Sequence, residues 1–156
     1  MIRKICFFIK KFLSVEMTVE GYSMWPGIKP NDVIYAERFN ILSKQPVVGN
    51  IVVFIEPTDI GTRAIKRIIA GPHDAICLVN NEISVNGHGV SDDIADISGD
   101  VGRKSWLLAG REYFLMSDNP NLSTDSRKYG PISRDSIVAR VWMVRSSVDG
   151  FKRLDS

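Results

Sequence analysis

The chain has 156 residues, 44% of them hydrophobic and 24% charged, and a formal net charge of +2. This is enough for one domain with a sizeable core, and the nearly balanced charge gives no reason to expect nucleic acid as a partner. Its two cysteines, Cys6 and Cys77, form no CxxC pair and no metal-ligand cluster, which argues against a disulfide framework; no metal or cofactor is expected.

Residues 1–16 form a basic N-terminal segment. Ile2, Ile5, Cys6, Ile9, Phe12 and Leu13 recur at helical spacing, with Arg3, Lys4, Lys10 and Lys11 opposite them and Phe7 among the basic residues. Such a short helix fits a membrane interface, with Phe7, Phe8 and Phe12 in lipid, or packs on the protein's own core. The apolar run is interrupted by Lys10 and Lys11 and no small-residue cleavage site follows, so it does not read as a secretory signal peptide. No run of about 18 apolar residues predicts a transmembrane helix.

Strand signals dominate after residue 20. Ile28 to Asp32 is a turn and Val33 to Ala36 a strand. Ile51 to Ile55 is a β-branched run predicted to be buried on both faces, and Arg63 to Ala70 a further strand broken by Gly71-Pro72. Ile76–Val79 and Ile83–Val85 flank Asn80-Asn81 as a small hairpin closed by Asn86-Gly87. Residues 88–105 read as a mobile polar loop, whose Asp92, Asp93, Asp96 and Asp100 lack the spacing of a calcium loop. Tyr113 to Met116 is a strand, Val138 to Val144 the last one, and residues 145–156 a tail expected to fray. His73 and His88 read as turn or surface residues. The pattern predicts a mainly β fold of antiparallel sheets.

Three stretches carry residues fit for chemistry. In Gly21-Tyr22-Ser23-Met24-Trp25-Pro26 the glycine and proline hold the backbone around Ser23 in a specified path, although most turn serines bond only their own backbone. Lys66 lies among the apolar β-formers Ile65, Ile68 and Ile69. A buried lysine loses charge by desolvation and becomes a proton acceptor, whereas an outward one does not. Arg67 points to the opposite face. In residues 117–130, Asp125 and Arg127 share a face of an extended backbone with Ser123, so that the charged pair can meet and the set can orient a neighbouring amine.

Together these stretches resemble the type I signal peptidase family of serine–lysine proteases. GYSMWP is similar to the family's G-x-S-M-x-P box, and Ile65-Lys66-Arg67 to its lysine box, followed by Gly71-Pro72-His73-Asp74 where Leu-Pro-Gly-Asp is usual. Residues 117–130, SDNPNLSTDSRKYG, resemble the box G-D-N-x-x-x-S-x-D-S-R-x-x-G, with Ser117 in place of the usual glycine. The resemblance spans residues 17–144 and implies signal-peptidase-type antiparallel sheets with a small inserted β subdomain, residues 72–111. It implies Ser23 as nucleophile, Lys66 as general base and the backbone N–H of Ser23 in the oxyanion hole. Ser123 is implied to hydrogen-bond the lysine amine, Asp125 and Arg127 to brace the site as an ion pair, and Asp118 to hold the same box. The extra hydroxyl that some members carry two residues before the nucleophile is absent here, where Gly21 stands.

The implied substrates are precursor proteins with cleavable N-terminal peptides and small residues before the cut. The implied location is a membrane surface with the catalytic domain on the extracytoplasmic side; a cytoplasmic location is the alternative, since no membrane span is evident. Repressor-type self-cleaving domains also pair a serine with a strand lysine but lack the S-x-D-S-R box. Maturation proteases for nickel superoxide dismutase share all three boxes and usually lack much of the insert. A non-enzymatic reading, a peptide- or membrane-binding module with a dead site, is opposed by the presence of both Ser23 and Lys66.

Overall fold

The structure, a computed structural model, describes residues 14–39, 45–59, 61–79, 82–90, 102–146 and 150–154. In chain order the strands are β1 (Val15–Thr18), β2 (Val33–Arg38), β3 (Ile51–Ile55), β4 (Arg63–Ala70), β5 (Ala75–Val79), β6 (Glu82–Val85), β7 (His88–Gly89), β8 (Lys104–Leu107) and β9 (Glu112–Met116). A one-turn helix, α1 (Ser126–Tyr129), precedes β10 (Ile132–Ser133), β11 (Ile137–Ser146) and β12 (Gly150–Arg153). The large sheet runs β1-β2-β11-β3-β4-β9-β10, with β12 also on β11; a second sheet runs β7-β6-β5-β8. Neighbouring strands are antiparallel in both sheets.

The longest strand, β11, is the spine of the large sheet. Its first half lies between β2 and β3, and its last residues between β2 and β12. The register with β2 shifts between Val141 and Met143, a bulge that leaves Trp142 as the extra residue. The Trp142 indole N–H then donates to Ser14 Oγ at 2.8 Å.

Alternation along β3 and β4 builds two cores on opposite faces. Ile51, Val53 and Ile65 pack on one face with Met24, Ile28 and Val141. Val52, Phe54 and Ile68 pack on the other with Leu115, Ile132 and Ile137, and Tyr129 of α1 lies against them. This double burial is what the β-branched run of β3 predicts. A third cluster, including Ile76, Leu78, Phe114 and Met116, joins the two sheets.

Three expectations are corrected. Residues 88–105 are not all loop: His88–Gly89 pairs with β6 and Lys104–Leu107 pairs with β5. Only Trp106 of β8 turns inward, so the polar composition of the segment concealed the strand. The polar tail does not simply fray: β12 takes the flank of β11 that β3 leaves open, and Leu154 packs on the first core. The helix expected within residues 1–16 does not reach its end, because Val15 and Glu16 already belong to β1. Residues 1–13, including Cys6 and the basic residues, lie outside the described residues, as do Asn80-Asn81 and Asp92, Asp93, Asp96 and Asp100. Among the described residues, no helix is long and apolar enough to cross a membrane, and no group of side chains could hold a metal ion.

Candidate active site

The turn that carries Ser23 is pinched at its base and plugged at its tip. Val19 N–H donates to Asp32 O (2.9 Å) and Asn31 N–H to Val19 O (2.7 Å). Within it, Trp25 N–H donates to Tyr22 O (3.1 Å) and Ile28 N–H to Met24 O (2.8 Å). Val19 before the serine is buried in the first core, and Met24 and Ile28 after it are completely buried there, which fixes the backbone on both sides of it. Ser23 itself is half-buried, while Tyr22 and Trp25 are exposed.

Lys66 emerges from β4 on the other face, beside Val52 and among the residues of the second core. It is 3% exposed. Burial pushes its ammonium below the ordinary 10.5, opposed by the negative charges of Asp125 and Glu56. Of the two readings open to a strand lysine, the structure takes the buried one.

The segment after β9 connects the two faces. The β4–β9 ladder pairs Arg67 with Met116, and one further step of that antiparallel register sets Lys66 opposite Ser117. The next residue, Asp118, turns to the Arg67 side. There it accepts from Arg67 Nε (2.8 Å) and Nη2 (2.7 Å), while Arg67 Nη1 donates to Gly49 O (2.9 Å). Asp118 holds the Arg67 guanidinium in its charged form. Asn119 N–H then donates to Ser23 O at 2.9 Å. Asp118 also borders the serine turn, since a Cβ added to Gly27 would stand 3.7 Å from Asp118 Oδ2. A continuous path of bonds thus runs from Arg67, adjacent to Lys66, through Asp118 and Asn119 to the backbone of Ser23.

Asp125 caps α1, accepting at Oδ1 from Arg127 N–H (3.2 Å), and its Oδ2 accepts from Ser117 N–H (3.2 Å). Arg127 closes on it with Nε at 2.8 Å and Nη2 at 2.9 Å, and also donates to Pro120 O (3.1 Å). The pair is inward, with 11% of the Arg127 side chain and 1% of the Asp125 side chain exposed. It is formed at a helix start, not along the extended backbone that the sequence spacing assumed.

Ser123 differs from its expected arrangement. Its hydroxyl donates to Ser117 Oγ and, more weakly, to Asn119 O at 3.4 Å. Among the described residues no hydrogen bond joins it to Lys66, nor Lys66 Nζ to Ser23 Oγ. Its partner Ser117 stands where the resembled box has glycine.

A family model described as "Signal peptidase, peptidase S26" matches residues 1–145. The chain belongs to this family. It is 27% identical over 156 residues to signal peptidase IB of Staphylococcus aureus, covering 88% of this chain and 80% of that protein. It is 26% identical over 141 residues to the probable signal peptidase I-2 of Synechocystis, covering 86% of this chain and 64% of that protein. A crystal structure of a signal peptidase I from Enterococcus faecalis aligns with a TM-score of 0.49 and 22% identity, covering 60% of this chain and 94% of that one.

In this S26 peptidase, two residues near Lys66 escaped the sequence reading. Glu56 follows β3 on the same side of the sheet as Val52 and acts on Lys66 through its charge. Tyr129 packs on Phe54 with ring centroids 6.3 Å apart, and its hydroxyl is buried without a protein partner among the described residues. Burial, then the charges of Asp125 and Glu56, push that phenol above its usual range. Ser117 was visible in the sequence as a departure from the box, but its bond to Ser123 was not. A usable signal existed for Glu56 alone, at an even-numbered offset from Val52 along one strand.

Proposed function

We propose that the protein is a serine endopeptidase that removes signal peptides from exported precursors, with Ser23 as nucleophile and Lys66 as general base. Membership of the S26 family supports the serine-type peptidase activity and its precursor substrates. The observation that carries the assignment is Lys66, a lysine almost removed from water on a strand whose next residue is tied, through Asp118 and Asn119, to the Ser23 turn.

In this reading the neutral Lys66 amine takes the Ser23 proton as Oγ attacks the scissile carbonyl carbon. The oxyanion of the tetrahedral intermediate accepts from the Ser23 N–H. The Lys66 ammonium returns the proton to the departing amine, leaving an acyl-enzyme on Ser23. A water, deprotonated by Lys66, then releases the acyl group and restores the hydroxyl. Asp125 and Arg127 hold the loop that faces Lys66, Ser123 acts from within that loop, and Asp118 fixes its junction with the nucleophile turn.

The test is cleavage of a precursor bearing an Ala-x-Ala site. Ser23→Ala and Lys66→Ala are each expected to reduce turnover by about a thousandfold or more while leaving the fold intact. Near-normal turnover by either variant would remove the dyad. The reading includes attachment of the segment before Ser14 to anionic membrane surfaces. Liposome flotation checks this: deleting residues 2–13 is expected to abolish binding, and unchanged binding would refute it.

A further inference from the structure

We infer that Ser117 is a positioning residue for the Lys66 amine, its hydroxyl forming with Ser123 a two-hydroxyl support that aims the lysine lone pair. This rests on the proposed Ser23–Lys66 reading. Three observations carry it. The β4–β9 register, carried one step past its last pair of Arg67 with Met116, puts Ser117 opposite Lys66. The Ser117 side chain is buried, and its backbone N–H is held by Asp125 Oδ2, so the residue has little freedom to turn away. Its Oγ already accepts from Ser123, which fixes the hydroxyl's orientation.

An amine on a long side chain rotates about its last bonds, and a general base works only when its lone pair points at the proton it removes. A serine oxygen has two lone pairs. With one taken by Ser123, the other is open to an N–H of Lys66, an arrangement that would leave the amine lone pair free for Ser23. Arg67, on the opposite face, does not compete for that position. The titratable and charged groups around Lys66 are Glu56 beyond β3, Asp125 with its partner Arg127, and Tyr129 of α1. A hydroxyl acceptor stabilises ammonium more than neutral amine. Removing it therefore lowers the pH at which Lys66 gives up its charge.

The experiment measures kcat and KM against pH for Ser117→Ala, Ser117→Gly and Ser117→Thr, with thermal melts on each. Alanine and glycine variants are expected to lose about tenfold in kcat with KM unchanged. The acid limb of kcat/KM is expected to move down by about half a pH unit or more. Threonine, which keeps the hydroxyl, is expected to recover most of both. A parental rate and profile in the alanine and glycine variants overturns the inference. So does a slower rate with an unmoved acid limb and no rescue by threonine, which is the signature of a purely structural role. If Ser23→Ala abolishes cleavage while the Ser117 variants behave as the parent, only this inference falls. If Ser23→Ala cleaves normally, the reading of the site falls and takes this inference with it.

Discussion

Lys66 occupies a position that β4 would fill more stably with an apolar side chain. Its neighbours on that face are Val52, Phe54 and Ile68, and desolvation lowers its affinity for a proton. The unfolded chain, with lysine near 10.5, therefore binds more protons than the folded one between the folded pKa and that value. Stability rises with pH across this window; the penalty is complete below the folded pKa and gone above 10.5. Lys66→Met is expected to abolish cleavage yet stabilise the fold by about 1 kcal/mol, since functional sites commonly sacrifice stability for activity. Urea midpoints between about pH 7 and 10 check the sign: the advantage of the methionine variant should shrink as pH rises. A methionine variant less stable than the parent at neutral pH would contradict the account.

At the scale of elements, the decisive connection is between β4 and the segment after β9. Arg67 and Asp118 are 51 positions apart in sequence, so no local pattern announces their pairing. Their side chains are 39% and 21% exposed, which places the bond between a surface pair and a buried one. Asp118→Ala is expected to destabilise by about 1–3 kcal/mol and to reduce kcat more than it changes KM, because it loosens the junction with the Ser23 turn. Chemical denaturation and steady-state kinetics of the same sample check both. An unchanged kcat in a destabilised variant would assign Asp118 to folding alone.

The same scale explains what the sequence revealed. Strands β3 and β4 were legible because Ile51–Ile55 and Arg63–Ala70 are runs of β-formers bounded by turn residues. Strands β8 and β12 were not, because each borrows its order from a neighbour's free backbone more than from its own side chains. Lys66 could be singled out, but its burial had two readings until the sheet was closed around it. Asp125 and Arg127 were visible as a pair by spacing, while the helix start that joins them was not. The link between Ser117 and Ser123 depends on a loop path that residue types do not encode locally.

For the whole molecule, β12 is the last strand in the chain and covers the end of β11. Phe151 lies 6.3 Å from the ring of buried Tyr35, and Leu154 N–H donates to Trp142 O at 2.9 Å. A chain ending at Ser146 is expected to melt a few degrees lower and to aggregate more readily, since the flank of β11 and the side of Tyr35 become bare. Its activity per folded molecule at low temperature should stay near that of the parent, because the Ser23 turn, β4 and α1 pair with no residue of β12 and Leu154 adds only a peripheral, partly buried contact to the first core. A truncated chain that is folded but inactive would refute that independence.

The position of β1 has a mechanical consequence. Among the described residues its only strand partner is β2, and it is where the chain before Ser14 joins the described fold. Tension applied through those residues would fall first on the Ser14–Trp142 latch and then on a four-residue ladder that opens like a zipper. The β4–β9 junction lies beyond the spine strand by two further strands, β3 and β4, so a tug at the leading end would be spent in peeling the rim before it disturbed Lys66.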